Sequence, residues 1–433
     1  MTEPLKVGIA GLGTVGAAVA RLLAERADGL SQRCGREIRL AAVSAKQRKK
    51  DRGIDLCGAE WFADAAAMAR EADIDVVVEL IGGEDGPALA VVEAALKAGR
   101  HVVTANKALL ARHGVALARL AEDHHVSLNF EAAVAGGIPI IKVLRESLAG
   151  NRISRIYGIL NGTCNYILTR MEREGRPFDE ILKDAQRIGY AEADPAFDIS
   201  GHDAAHKLAI LTSLAFGTRI DFESIYVEGI ESIAPDDLSA ADELGFRIKL
   251  LGVAMATDTG IEQRVHPTMV PKSSPIAEID GVTNAIAVDG DYVGEVMLVG
   301  PGAGGKATAS AVVGDICDIA GGAVLPPLAV PARALKPYKR ARMRAHVGGY
   351  FIRLSVFDRP GAFAAIAKRM AEQEISLESI MQKGARNGGE ARPRPVILIT
   401  HETTEAQIRK ALAAITKDGH IAGDPQMIRI ARA

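Results

Sequence analysis

A glycine-rich turn between a short apolar run and a helical run is the feature that most constrains the fold of this chain. Residues 5–10 (LKVGIA) predict a buried strand, and residues 17–26 predict the helix that follows it. The turn between them consists of Gly11, Leu12, Gly13, Thr14, Val15 and Gly16. A G-x-G-x-x-G pattern is weak evidence by itself, but between a strand and a helix it indicates dinucleotide binding. The sequence therefore predicts an α/β fold that begins with a Rossmann-type domain.

The residue types in this turn suit the phosphates of a dinucleotide. Gly11 makes the tight turn, Gly13 lets the backbone approach a pyrophosphate, and Gly16 lets the helix pack closely on the strand. The amides of Thr14 and Val15 then face the phosphates at the positive end of the helix. The alternative is a glycine turn that only packs a helix against a sheet.

The loop after the second predicted strand, residues 38–44, bears on the choice of cofactor. An acidic residue at this point would hold the ribose hydroxyls of NAD. Residues 44–50 (SAKQRKK) contain Arg48 and Lys49 and no acidic residue. A cationic loop suits a 2′-phosphate, so NADP is favoured, with NAD possible. A solvated basic loop is the alternative.

The β/α alternation continues beyond this loop. Strands are predicted at 74–81, 101–104 and 126–130, and a helix at 88–98. The first of these strands is mostly apolar, as is typical of a strand buried in a parallel sheet. Lys107 follows the strand 101–104, at the edge where open α/β sheets bind ligands.

Three domains are predicted. Residues 1–135 form the nucleotide-binding domain, which residues of about 300–340 complete. Residues 136–299 form an α+β domain for substrate binding and dimerisation. Prolines at 326, 327, 331 and 337 indicate a linker to a third domain at 348–433.

The third domain has the order βαββαβ, which is typical of a ferredoxin-like unit. Its strands are predicted at 351–357, 375–383, 395–400 and 426–430, and its helices at 362–373 and 404–417. The loop 384–394 is interpreted as a solvated hairpin tip.

The stretch 189–211 gathers acidic side chains and ends in a helical pattern. It contains Glu192, Asp198 and Asp203, and Lys207 follows Asp203 by four residues. On a helix this spacing places Asp203 and Lys207 on one face. A solvated helix start with a surface ion pair is the ordinary interpretation of a lone acidic run.

Composition excludes several classes of protein. The formal net charge is −2, so there is no electrostatic reason to expect nucleic acid or an anionic membrane as a partner. No apolar stretch reaches membrane-spanning length, and no signal-peptide pattern is present at the start. The four cysteines form no C-x-x-C pair, which argues against a disulfide framework or a zinc site. A cytoplasmic location is expected.

Seven segments together resemble homoserine dehydrogenase, in its monofunctional form with a C-terminal ACT domain. The matching segments, in chain order, are VGIAGLGTVG (7–16), VVVELIGG (76–83), TANKALLA (104–111), FEAAVAGGIPII (130–141), NGTCNYIL (161–168), GYAEADP to DAAHKL (189–208) and GPGAGGKATASAVVGDI (300–316). The resemblance implies interconversion of L-homoserine and L-aspartate 4-semialdehyde with NAD(P), in the pathway to threonine, methionine and isoleucine.

The resemblance also assigns site residues. It implies that Glu192, Asp198 and Asp203 contact homoserine, that Lys207 donates and accepts the proton, and that Lys107 lies between cofactor and substrate. It places Gly189, Gly302 and Gly304 beside the cofactor. Asp203 is expected mainly to hold substrate, which would leave Lys207 free to exchange its proton.

Two further sites follow from the resemblance. Glu131, with the carbonyls of Val134, Gly136 and Ile138, matches the family's site for a monovalent cation such as sodium; the alternative is a turn that binds nothing. The ACT domain implies an amino-acid effector, threonine being the first candidate, bound where ACT domains of a homo-oligomer meet. The alternative is a domain that only helps assembly.

Two rival functions remain open at this point. Cys164 would be the nucleophile of a semialdehyde dehydrogenase, but no histidine lies near it in sequence, and we interpret it as a small buried residue. The other rival is a non-catalytic amino-acid sensor that has kept the fold.

Overall fold

A computed structural model of the chain describes residues 3–56, 58–341, 347–357, 359–382 and 393–431. The predicted hairpin tip lies almost wholly outside the described residues, and so does Asp358, which directly follows the predicted strand 351–357. Within the described ranges, no helix is both long and apolar enough to cross a membrane.

The first unit is a parallel sheet with helices packed on it. Its elements are β1 (Leu5–Ala10), α1 (Thr14–Glu25), α2 (Ala27–Cys34), β2 (Ile38–Ser44), β3 (Glu60–Phe62), α3 (Ala65–Glu71), β4 (Val76–Glu79), α4 (Pro87–Lys97), β5 (His101–Thr104), α5 (Lys107–Asp123) and β6 (Leu128–Asn129). Its strands lie in the order β3-β2-β1-β4-β5-β6, and every pair is parallel. This is the strand order of a dinucleotide-binding fold, so the predicted fold class is confirmed.

Two strands of this sheet are shorter than the sequence predicts. β4 ends at Glu79 because the buried Glu79 carboxylate accepts the backbone N–H groups of Ile81 (2.7 Å) and Gly82 (3.1 Å). The hydroxyl of Thr104 at the end of β5 also donates to Glu79, at 2.6 Å. β6 spans only two residues, because the chain turns into a short 3₁₀ segment at Glu131–Ala133.

The middle unit surrounds a large, mostly antiparallel sheet. Its elements are α6 (Ile140–Lys142), β7 (Ile153–Ile159), α7 (Gly162–Glu174), α8 (Phe178–Arg187), α9 (Ala196–Ile199), α10 (His202–Phe216), β8 (Tyr226–Val227), α11 (Pro235–Glu243), β9 (Phe246–Thr257), β10 (Gly260–Pro271), β11 (Thr283–Gly290) and β12 (Gly294–Pro301). Helix α12 (Gly305–Ala320) then returns the chain to the first unit, where Gly305 packs closely on Thr14 at the start of α1.

The C-terminal unit has the predicted βαββαβ order with two short added strands. Its elements are β13 (Val347–Gly348), β14 (Tyr350–Phe357), α13 (Ala362–Glu372), β15 (Leu377–Gln382), β16 (Pro393–Thr400), β17 (Thr403–Thr404), α14 (Glu405–Lys417) and β18 (Gln426–Ile430). Its four main strands lie in the order β18-β14-β16-β15, as in a ferredoxin-like sheet.

The C-terminal unit is less separate than the sequence suggests. β18 pairs in parallel with β10, through Thr268 with Arg429 and Met269 with Ile430, so one continuous sheet runs through both units. The proline-rich segment before it is not a free linker either. Leu328 and Leu335 are buried, and the amide of Ala332 donates to the carboxylate of Glu122 on α5. Apolar residues between the prolines explain this packing, because their burial holds the segment against the body of the protein.

Candidate active site

A cavity of about 860 Å³ lies where the first unit meets the middle unit. Val15 and Lys107 line it from the first unit, at the carboxyl edge of the parallel sheet. Asp198, Asp203 and Lys207 line it from the middle unit. The structure therefore brings the predicted nucleotide turn and the predicted acidic stretch to one site, although they are far apart in the chain.

The three glycines of the turn differ in their surroundings: two are packed against backbone atoms, and one faces open space. Gly11 has φ +103°, and a Cβ there would lie 2.5 Å from the carbonyl oxygen of Leu80. A Cβ on Gly16 would overlap the carbonyl oxygen of Gly11. A Cβ on Gly13, by contrast, would meet no described atom within 4 Å. Packing explains the first two glycines, whereas Gly13 leaves an open cradle at the start of α1 that fits a pyrophosphate.

The basic loop after β2 lies at the surface, and its anchor is a residue that the sequence analysis missed. Arg48 and Lys49 are exposed and do not line the cavity. Arg52 instead turns back: its Nε donates to the carbonyl of Leu12 at 3.0 Å, and its guanidinium lies 5.7 Å from the centre of the Trp61 ring. The sequence shows several cations here but gives no signal for which of them reaches the glycine turn.

Asp203 lies between two lysines at the centre of the site. Its Oδ2 is 2.8 Å from Lys207 Nζ, and its Oδ1 is 3.2 Å from Lys107 Nζ. Lys207 also donates to the carbonyl of Leu160 at 2.8 Å. Asp203 is thus paired with Lys207, as the i,i+4 spacing on α10 allows, and the exchange of a proton between Lys207 and the substrate stays a prediction.

Asn161 organises the same group and was not predicted as a site residue. Its Nδ2 donates to both Asp198 and Asp203, at 2.8 Å each, while its Oδ1 accepts the amide of Cys164. Asn161 is thus the N-cap of α7, which begins at Gly162. The sequence signal for this cap is the asparagine that directly precedes the helix.

The two carboxylates have opposite electrostatic environments. Burial, followed by the charge of Asp203, raises the pKa of Asp198. Burial also acts to raise the pKa of Asp203, but the ammonium groups of Lys207 and Lys107 outweigh it and lower that pKa well below its usual range. Asp203 therefore stays negatively charged, whereas the carboxylate of Asp198 loses its charge at a higher pH than an ordinary aspartate does.

The segment that carries Glu192 is only partly at the cavity. Gly189 lines the cavity with φ +79°. Glu192 is exposed and does not line it, and its backbone carbonyl accepts the side-chain amide of Gln186. The structure thus leaves Glu192 outside the group formed by Asp198, Asp203 and the lysines. The residues after Pro195 form the one-turn helix α9.

The second glycine-rich loop, after β12, also reaches the cavity. Gly302 and Gly304 both line it. A Cβ on Gly304 would meet nothing described within 4 Å, whereas one on Gly302 would overlap the side chain of Asn284. A side chain at position 302 would clash with Asn284, so this position requires glycine. Position 304, by contrast, faces open space.

The predicted cation residues lie in a buried turn beside the cavity. The Glu131 carboxylate accepts the backbone N–H groups of Ile141 (2.8 Å) and Lys142 (2.9 Å). Burial, together with the nearby Asp315, raises the pKa of Glu131 to about 7. Among the described residues no group of three or more His, Cys, Asp or Glu side chains could hold a metal.

The backbone carbonyl oxygens of this turn are ligands of the kind that a hard monovalent cation prefers. Gly136 lines the cavity, and Val134 and Ile138 are buried. The carbonyl of Ile138 already accepts the amide of Ile140 at 2.8 Å. One carboxylate with backbone carbonyls is a ligand set of oxygen atoms only.

Cys164 is not equipped to act as a nucleophile. It is fully buried, and its thiol donates to the backbone carbonyl of Asp198 at 3.2 Å. Burial, and then the charges of Asp198 and Asp203, raise its pKa well above the usual range, so the thiolate is disfavoured. The prediction of a small buried residue is confirmed.

Comparisons with known proteins agree with this geometry. Profiles described as "Homoserine dehydrogenase, NAD binding domain", "Homoserine dehydrogenase" and "ACT domain" match residues 11–131, 139–317 and 350–417. A homoserine dehydrogenase of Neisseria gonorrhoeae is 46% identical over 95% of both chains. The crystal structure of a homoserine dehydrogenase from Thiobacillus denitrificans is 43% identical, with a TM-score of 0.92 over 99% of this chain and 98% of that one. A hyperthermophilic archaeal homoserine dehydrogenase in complex with NADPH is 28% identical, with a TM-score of 0.61 over 73% of this chain and 97% of that one.

Proposed function

Because the chain belongs to the homoserine dehydrogenase family, we propose that it interconverts L-homoserine and L-aspartate 4-semialdehyde with a nicotinamide cofactor. The observation that supports this most is the position of Asp203 between Lys107 and Lys207, in a cavity that Val15 of the glycine-rich turn also lines. The reaction places the enzyme in the pathway to threonine, methionine and isoleucine.

The cofactor accepts or supplies the hydride when it is bound. The amides at the start of α1 and the open space at Gly13 hold its pyrophosphate. We infer a preference for NADP over NAD because Arg48 and Lys49 leave the loop after β2 positively charged, and no acidic side chain stands among residues 44–50 to hold a ribose hydroxyl.

Lys207 is the group that carries the proton. An ammonium group has three N–H donors. Two of them face Leu160 and Asp203, which leaves one for the substrate oxygen. During reduction of the aldehyde Lys207 donates this proton to the carbonyl oxygen as the hydride reaches the carbon; during oxidation of homoserine it takes the proton back.

The other charged groups bind and orient the substrate. Asp198 offers a carboxylate to the α-ammonium group, and Lys107, tied to Asp203, lies toward the cofactor side. The side chain of Glu192 is exposed and does not line the cavity. Its proposed contact with the substrate therefore rests on the family motif alone. The cation proposed at Glu131 would stiffen the turn that includes Gly136 on the cavity wall.

The C-terminal unit is proposed to regulate the enzyme. It has the strand order of a ferredoxin-like domain and matches the ACT profile. We infer that threonine binds where two ACT domains of a homo-oligomer meet and inhibits by favouring a less active state, which requires different threonine affinities in the two states.

The proposed reaction is tested by incubating the purified enzyme with L-homoserine and NADP and following the absorbance of the reduced cofactor. We expect turnover with homoserine, and none with L-serine, which lacks one methylene group between the hydroxyl and the α-carbon. Absence of turnover with homoserine in either direction would contradict the proposal. Persistence of the activity in Cys164→Ser separates it from a mechanism that needs a thiol.

A further inference from the structure

Asn284 on β11 is a buried polar side chain with an unused acceptor. It is 1% exposed, and its Oδ1 has no hydrogen-bond partner among the described residues. The same residue lines the cavity of the proposed active site. Buried side-chain oxygens without a partner are uncommon, because losing water without a replacement costs free energy. An unpaired acceptor on a ligand cavity therefore points to a donor that arrives with the ligand.

Two glycines lie against the Asn284 side chain, one on each side, and limit where it can be placed. A Cβ on Gly302 would overlap the Asn284 amide group, and a Cβ on Gly162 would lie 3.4 Å from its Oδ1. Gly302 belongs to the glycine loop after β12, and Gly162 follows Asn161, which holds the two carboxylates. Asn284 thus lies between the loop assigned to the cofactor and the group assigned to the substrate.

The chemistry of the surroundings selects the donor. The α-ammonium group of an amino-acid substrate is positively charged and is better matched by the carboxylate of Asp198. Asn284 offers a neutral carbonyl oxygen packed against the cofactor loop. A neutral N–H donor suits this position, and the nicotinamide ring carries one in its primary carboxamide.

We propose that Asn284 Oδ1 accepts a hydrogen bond from the carboxamide of the bound nicotinamide and so fixes which face of the ring is turned toward the substrate. The inference rests on the proposed function for the identity of the cofactor. Asn284 is then a positioning residue, and Gly302 is a glycine so that Asn284 can occupy this place.

The test compares NADP with its 3-acetylpyridine analogue, in which a methyl group replaces the NH₂ of the carboxamide. Dissociation constants are measured calorimetrically without substrate. The wild-type enzyme should bind the analogue roughly five- to tenfold more weakly, the scale of one net hydrogen bond. Asn284→Leu should bind NADP more weakly and should no longer distinguish the two compounds.

The midpoint of thermal unfolding separates a ligand role from a structural one. Asn284→Leu removes an unpaired oxygen and keeps a similar volume, so its midpoint without cofactor should equal or exceed that of the wild type. Gly302→Ala, which displaces the Asn284 amide, should also lose the distinction. The matched control is Asn129→Leu: Asn129 is a buried asparagine whose oxygen accepts from Arg145 at 3.3 Å, so this variant should unfold at a lower temperature and keep the wild-type ratio.

Two results would overturn the inference. One is an unchanged ratio of the two dissociation constants in Asn284→Leu. The other is a change confined to the KM for homoserine, which would assign the acceptor to the substrate ammonium group. Failure of the proposed function itself is recognised separately, as absence of homoserine turnover in the wild-type enzyme.

Discussion

One carboxylate, Asp203, compensates two ammonium groups at the centre of the site. Such a buried arrangement is stable only while each charge keeps its partner, and removal of one partner costs about 3–5 kcal/mol in typical cases. The neighbouring Asp198 shares Asn161 with it but has no lysine within ion-pair distance in the described structure. The two carboxylates therefore divide the work: Asp203 fixes the lysines, and Asp198 is available to the substrate.

This division predicts a pH dependence for substrate binding. The pKa of Asp198 is raised, so the ionised form is lost at a higher pH than for an ordinary aspartate. The kcat/KM for homoserine should therefore fall as the pH decreases through this raised pKa. Asp198→Asn should have a higher KM at neutral pH, and its profile should lack this acidic limb. An acidic limb of the same position in Asp198→Asn would assign the titration to another group.

At the scale of elements, the cations of the loop after β2 differ in their surroundings, since one arginine is hydrogen-bonded to the backbone and two other cations are exposed. Arg52 donates to the carbonyl groups of Leu12, Lys50 and Gln47, so it ties the loop to the glycine turn. Arg48 and Lys49 are exposed and have no such hydrogen bond to the described residues, so the proposed contact with a 2′-phosphate would be made by side chains at the surface.

The two kinds of cation predict different cofactor phenotypes. Replacing Arg48 and Lys49 together with alanine should raise the KM for NADP roughly tenfold or more and leave that for NAD nearly unchanged, because only NADP carries the extra phosphate. Arg52→Ala should weaken both cofactors, because it loosens the turn that holds the shared pyrophosphate. Steady-state kinetics with both cofactors checks this, and equal effects of the double substitution on NADP and NAD would show that the basic loop is merely solvated.

Elements with strong local patterns could be predicted from the sequence. β1, β2, β5 and β18 have the predicted bounds, because an apolar run ending in a turn is a local property. β4 could not be bounded in this way, because its end depends on the Glu79 carboxylate and on Thr104, which is 25 residues distant.

The candidate site shows the same limit. The spacing of Asp203 and Lys207 predicts their shared helix face, but the contact with Lys107 depends on the packing of α10 against the first unit. Asn161 and Asn284 were not predicted as site residues. The place of Asn161 before α7 indicates only a helix cap, and Asn284 has no comparable pattern, so only their neighbours in space reveal their roles at the site.

At the scale of the whole molecule, a buried ionic cluster joins the C-terminal unit to the middle unit. Glu405 on α14 pairs with Arg429 on β18 (2.9 Å) and with Arg264 on β10 (3.3 Å). Arg429 also reaches Glu228, at 3.2 Å. These groups flank the parallel pair β10–β18, so the junction of the two units is both hydrogen-bonded and ionic. Ending the chain before the C-terminal unit would leave the buried Arg264 without Glu405.

The cluster predicts acid sensitivity of this junction. Burial acts to raise the pKa of Glu405, but Arg429 and Arg409 outweigh it and lower that pKa. Its stabilisation is therefore present above the pKa of an unfolded glutamate, about 4.3, and is lost as the pH falls through the lower folded value. Glu405→Gln should reduce the free energy of unfolding at pH 7 by about 3–5 kcal/mol, because two buried arginines lose a partner. In thermal or urea unfolding the difference from the wild type should shrink below about pH 4, and a difference that stays constant with pH would contradict the assignment.

The same cluster offers a route for the proposed regulation. Beyond Glu228, the amide of Ile230 donates to the carbonyl of Ile199 at 3.0 Å, and Ile199 directly follows Asp198. Glu228→Gln should therefore weaken inhibition by threonine several-fold while threonine binding, measured calorimetrically, changes little. Threonine that neither binds nor inhibits the intact enzyme at millimolar concentration would refute the choice of effector.

The central claim is that Lys207 carries the proton, and its most direct test is the kcat of Lys207→Met compared with the dissociation constant for NADP of the same variant. Methionine keeps a similar chain volume at this buried position and removes the exchangeable proton. The predicted result is a loss of turnover of roughly a hundredfold or more, the scale of a lost general acid–base group, with NADP binding within about twofold of the wild type. Turnover close to that of the wild type in the folded variant would contradict the claim and remove Lys207 from the mechanism.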